Sequence, residues 1–202
     1  MRSSICLVAL LLLADTTFGQ APGTTPSTGQ VGQLVPGTFP CYNVNGDRAK
    51  KFHCLVVQNE LNPVIAVFAT VVPQNADDPV GALLSKVEEL VNKHKTAKLG
   101  GYAVFLTAEK DPLIDKGSEA KIVQLEGMVT NLKLKEVTIG LEHPQAKPVA
   151  AWGIGAKDAV TVVVYDRHKV IARYAYTTET GKSLTKANVD EIAAAVEKMI
   201  KK

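Results

Sequence analysis

The sequence predicts an α/β domain in which helices cover a central sheet, and three observations carry that expectation. Short apolar, β-branched runs at 64–69 and 102–106 read as strands buried on both faces. Between and after them, apolar residues recur at helical spacing. The resulting order, βαβαβ followed by a β-hairpin and a last helix, requires parallel neighbours joined by right-handed crossovers.

The chain opens with Arg2, an unbroken apolar run at 5–14, and small residues around Thr17-Phe18-Gly19 where a signal peptidase cuts. Residues 1–19 are therefore expected to be an export signal, cleaved before Gln20. The run is too short to span a bilayer, which needs about 20 residues. No later stretch approaches that length, so no membrane span is expected in the mature chain. Cleavage removes Arg2 and Asp15 together, which leaves the net charge at +3, and it removes Cys6. Two cysteines, Cys41 and Cys54, then remain in an exported, periplasmic or extracellular protein, where disulfides persist. Residues 20–33 are built from Pro, Thr, Gly, Ser and Gln, bury almost nothing apolar, and are expected to form a flexible leader. Residues 34–202 suit one domain.

Within that domain, 41–57 reads as two short β runs around Asn45-Gly46-Asp47, a strong turn signal. A two-residue turn at Asn45-Gly46 would set Cys41 opposite Lys50. A loop covering 45–50 would instead pair Val44 with Lys51 and Cys41 with Cys54, and of these two registers only the second permits a disulfide. After the strand at 64–69, Val80, Leu83, Leu84, Val87, Leu90 and Val91 share a helical stripe, opened by Asp77-Asp78-Pro79. Ile122, Leu125, Val129 and Leu132 mark a second helix, and 137–141 a third strand. A loop rich in Pro, Gly and Ala leads to strands at 160–165 and 170–176, which turn at Asp166-Arg167-His168-Lys169. The last helix carries Val189, Ile192, Ala193, Val196 and Ile200 on one face, with Thr185 as its N-cap.

With 46% hydrophobic and 21% charged residues, the composition is that of a folded domain and excludes extended disorder. Matched Lys/Arg and Asp/Glu give no basic surface for nucleic acid. His53, His94, His143 and His168 are scattered without ligand spacing, so neither a metal nor another cofactor is expected. Gly181-Lys182-Ser183 lacks the earlier glycine of a phosphate-binding loop, since Tyr176 stands there, and reads as a turn. Asp77-Asp78 reads as helix-start electrostatics, and Trp152 as a side chain packed partly against the domain.

The Val44-Asn45-Gly46 turn, the run Val64-Ile65-Ala66-Val67-Phe68-Ala69, and Val160 to Tyr165 followed by Lys169-Val170-Ile171-Ala172 together resemble the thioredoxin-like superfamily, as elaborated in redoxins and peroxiredoxins. More narrowly, Gly46, Lys51, Cys54 and Asn62-Pro63 resemble a group of exported bacterial thioredoxin-like proteins. The resemblance covers roughly 33–202 and implies a central mixed sheet flanked by helices, with an N-terminal β-hairpin. It also implies a reactive cysteine just after the first buried strand, where a helix N-terminus lowers the thiol pKa. Here that stretch is 70–78, Thr-Val-Val-Pro-Gln-Asn-Ala-Asp-Asp, which holds no cysteine. The family's proline before the next-to-last strand is likewise missing near Val160.

Three fates remain for the cysteines. The expected one is a structural Cys41–Cys54 bridge across the lead-in hairpin, worth about 3 kcal/mol in the chain-entropy account. They can act as a working redox pair, Cys54 attacking and Cys41 resolving, with Lys50, Lys51 and His53 near the thiolate. Or they can stay unpaired. The expected function is accordingly an exported thioredoxin-like domain without thiol-disulfide catalysis, binding a protein partner or serving a structural role. The alternative is an oxidoreductase or peroxidase of unusual layout.

Overall fold

A computed structural model describes residues 29–38, 40–108 and 116–201. The expected signal segment and the first part of the leader lie outside these residues. The elements are β1 (Cys41–Asn43), β2 (Lys51–His53), α1 (Leu55–Gln58), β3 (Val64–Ala69), α2 (Pro79–Lys93), β4 (Gly100–Leu106), α3 (Lys116–Asn131), β5 (Thr138–Glu142), α4 (Lys147–Ala151), β6 (Asp158–Asp166), β7 (Lys169–Thr177) and α5 (Lys186–Ile200). The strands form one seven-stranded sheet in the order β2-β1-β5-β4-β3-β6-β7. β3, β4 and β5 run parallel, and the flanking pairs are antiparallel.

All six residues of β3 are buried because it lies between β4 and β6 and is covered on both faces. Ile65, Val67 and Ala69 face the layer made by α2, α3 and α5. Val64, Ala66 and Phe68 face a smaller layer with Leu55 and Val56 of α1, Val149 of α4, and Trp152. Trp152 is fully buried there, its ring 5.1 Å from Phe68 and 6.3 Å from Tyr165.

Three elements differ from the sequence expectation. The hairpin register is neither of the two read above: Cys41 pairs with His53 and Asn43 with Lys51. The cause is the neighbouring strand. Val44 N–H donates to Ile139 O at 2.7 Å, while the Asn45 side chain accepts from Ile139 N and donates to Val137 O. Val44 is thereby committed to β5, and the loop closes through Lys50 N–H to Asn43 O. Second, Leu55–Gln58 is a helical turn and does not continue a strand, because burying Leu55 and Val56 on the sheet requires it. Third, the Pro- and Ala-rich loop contains α4, with proline in its first turn, where no N–H is needed.

Residues 29–35, which include the end of the expected leader, bond to β7. Gly32 N–H donates to Val170 O, Val170 N–H to Gln33 O, and Val35 N–H to His168 O. Asp78 caps α2 by accepting from Val80 N, and Thr185 with Asn188 forms a capping box on α5. Gly181 sits in a turn with φ +79, consistent with its reading as a turn residue. No helix among the described residues is long and apolar enough to cross a membrane.

Candidate functional site

Two places on the sheet matter for thiol chemistry. The first is the C-terminal edge of β3, where the chain passes through 70–78 to α2. Its side chains are Val71, Val72 and Pro73, followed by Asn75, whose Oδ1 accepts from Asp77 N and Asp78 N. No thiol or histidine is present in this stretch. What the edge offers instead is shape. An apolar cleft of about 260 Å³ lies between Val71, Pro79, Val160, Tyr176 and Leu184. The Tyr176 side chain is buried, and its hydroxyl has no hydrogen-bond partner. A second cleft, of about 380 Å³, shares Ala159, Thr177 and Thr178 with the first. A third, of about 520 Å³, shares Thr70, Ala156 and Asp158 with the second. The three are neighbours along this edge. Such edges of parallel strands are where open α/β sheets take ligands.

The second place is the cysteine pair. Cys41 lies on β1, completely buried, and its S–H donates to Asn43 Oδ1 at 3.4 Å or to His53 O at 3.7 Å. Cys54 is partly exposed and stands at the N-cap of α1 without capping it. The two are brought near each other, but the sulfurs are not bonded, and both are free thiols. Burial pushes the Cys41 thiol far above its ordinary pKa, and the charges of Glu142 and Cys54 push it further. Cys41 therefore stays protonated. α1 is a single turn, too short to supply the helix-terminus field that activates thiols elsewhere.

Tyr102 and Tyr165 complete this region, with hydroxyls 3.5 Å apart. Burial raises both phenols well above their ordinary range. Sequence reasoning passed over them and Asn43. A tyrosine inside an otherwise aliphatic strand was the available signal, since a buried hydroxyl needs a partner. For Asn43 the signal was its place two residues from Cys41, on the same side of the strand. Lys51 is exposed on β2, and His53 carries the carbonyl facing Cys41. Among the described residues no group of three or more His, Cys, Asp or Glu could hold a metal ion.

The mixed sheet flanked by helices is a thioredoxin-like fold. No family model matches the chain, and no curated protein does. Solved structures do. The chain is similar to an uncharacterized conserved protein from Geobacillus kaustophilus, at TM-score 0.59 and 12% identity over 86% of this chain and 84% of that one. It is similar to a putative thiol:disulfide interchange protein DsbE from Chlorobium tepidum, at TM-score 0.51 and 17% identity over 83% and 98%. Peroxidoxin BcpB from Mycobacterium tuberculosis matches at TM-score 0.57 and 12% identity over 84% and 97%.

Proposed function

We propose that the protein is an exported thioredoxin-fold domain that binds a polypeptide partner at the C-terminal edge of its sheet and does not catalyse thiol exchange. One observation carries this reading: the junction of β3 and α2 holds valines and a proline beside neighbouring clefts, where thiol chemistry would need a cysteine. Without a nucleophile there, exchange has no starting point at that edge. The apolar cleft at Tyr176 accepts one large apolar side chain.

A second reading keeps Cys54 as the attacking thiol and Cys41 as its resolving partner in a disulfide reductase or peroxidase. The nearness of the two residues favours it, while the protonated state of buried Cys41 slows the resolving step. Insulin reduction and peroxide consumption by wild type and Cys54→Ser separate the readings. No turnover by either protein is the expected result. Turnover that Cys54→Ser abolishes would overturn the binding reading in favour of the enzyme.

A further inference from the structure

The cysteine pair rests on a buried carboxamide whose oxygen has a partner in only one of the pair's two redox states. Asn43 is fully buried. Its Oδ1 accepts the Cys41 S–H at 3.4 Å, and its Nδ2 has no hydrogen-bond partner. The other acceptor near Cys41 is the carbonyl of His53, 3.7 Å away, which belongs to the peptide bond joined to Cys54. The buried sulfur thus lies against the peptide that carries the partly exposed one. Beneath them Gly140 supplies the room, since a Cβ there would stand 2.8 Å from Cys41 Sγ.

We propose that Cys41 and Cys54 are a reversible redox pair whose set point is fixed by Asn43, which hydrogen-bonds the dithiol and is left without a partner by the disulfide. The oxidant is a low-molecular-weight disulfide. The Cys54 thiolate attacks one of its sulfurs; that S–S bond breaks, one thiolate leaves and takes up a proton, and a mixed disulfide remains on Cys54. Cys41 then attacks the Cys54 sulfur as its proton passes to the departing small thiolate, which leaves as the second small thiol. Two protein thiols have been oxidised by two electrons, and one small disulfide has been reduced to two thiols. The S–H that Asn43 accepted is gone. Its carboxamide is then enclosed with both ends unmatched, a standing penalty on the oxidised state. The bond is consequently easier to reduce than a structural bridge of the same loop length. Oxidation ties the N-cap of α1 covalently to β1, whereas the reduced helix is held by the burial of Leu55 and Val56.

The test is the equilibrium of the purified protein with reduced and oxidised glutathione, quenched in acid and mapped by peptide mass spectrometry. A Cys41–Cys54 bond is expected to form, and Asn43→Leu is expected to raise its equilibrium constant about three- to tenfold, the worth of one buried hydrogen bond. Asn43→Ala should shift it in the same direction and serves where the larger side chain prevents folding. The proposal is overturned by wild type forming no such bond at any glutathione ratio, or by Asn43 variants whose constants equal or fall below that of wild type. Neither result depends on partner binding or on insulin and peroxide turnover, so this inference and the proposed function fail separately.

Discussion

At Gly140 the middle of β5 gives up a side chain so that β1 and α1 can approach the sheet. A Cβ at that position would meet Cys41 Sγ at 2.8 Å and Leu55 Cδ1 at 3.4 Å, both in a fully buried layer. Because interiors are close-packed, this contact cannot be relieved without moving one of the two. Gly140→Ala should therefore destabilise the fold by about 1–3 kcal/mol, the usual range for an overpacked core. Urea denaturation read by Trp152 fluorescence checks it, and an unchanged midpoint would mean that β1 is less firmly seated than the geometry shows. The same residues mark how far the sequence could be read. Cys41 and Cys54 stood out by their chemistry, but the register that places them was neither of the two read from the turn. The carboxamide that accepts the Cys41 S–H hydrogen bond did not stand out, because an Asn beside a turn signal reads as part of the turn.

Elements whose partners are close in sequence were legible, and those set by distant contacts were not. The β6–β7 hairpin follows from two β-branched, aromatic-containing runs around Asp166 to Lys169, and Asp166 does pair with Lys169. The β1–β2 hairpin has as clear a turn signal, yet its register is decided by Ile139, 94 residues from Asn45. The single turns α1 and α4 lie below the length at which helical pattern or nucleation speaks, so only tertiary burial forms them. The legible hairpin still carries a local conflict. Arg167 and His168 both adopt positive φ, at 47° and 61°, the conformation of a two-residue type I′ turn that favours Asn and Gly. Replacing exposed Arg167 by Asn should stabilise the protein by up to about 1 kcal/mol, since Asn tolerates the left-handed region that Arg does not. Thermal unfolding of Arg167→Asn measures this. A lower Tm would show that the arginine contributes more through its contacts than its backbone loses.

For the whole molecule, the question is what keeps the larger helical layer in register with the sheet it covers. α2 and α5 pack on the same face through Leu83, Leu84, Val87, Ile192 and Val196, and their C-terminal ends are joined by one carboxylate. Glu197 Oε1 accepts from Lys93 Nζ at 2.6 Å and lies 3.0 Å from His94 Nε2. The hydrogen bonds from Lys93 and then His94 hold its carboxyl at about 2, well below the ordinary 4.5. A carboxyl whose folded pKa is depressed contributes stability that is complete above its unfolded pKa and is lost as pH falls towards the folded one. The link between α2 and α5 should accordingly weaken between pH 4.5 and about 2, and it should be intact at neutral pH. Glu197→Gln keeps the shape and removes the charge. Its Tm should lie below that of wild type at pH 7, and the gap should close as pH falls through this window. Raising the salt concentration should shrink the gap at pH 7, because the pair is open to solvent and is screened. Parallel Tm curves for the two proteins from pH 5 to 2 would show that the apolar contacts between α2 and α5 hold the layer without the carboxylate.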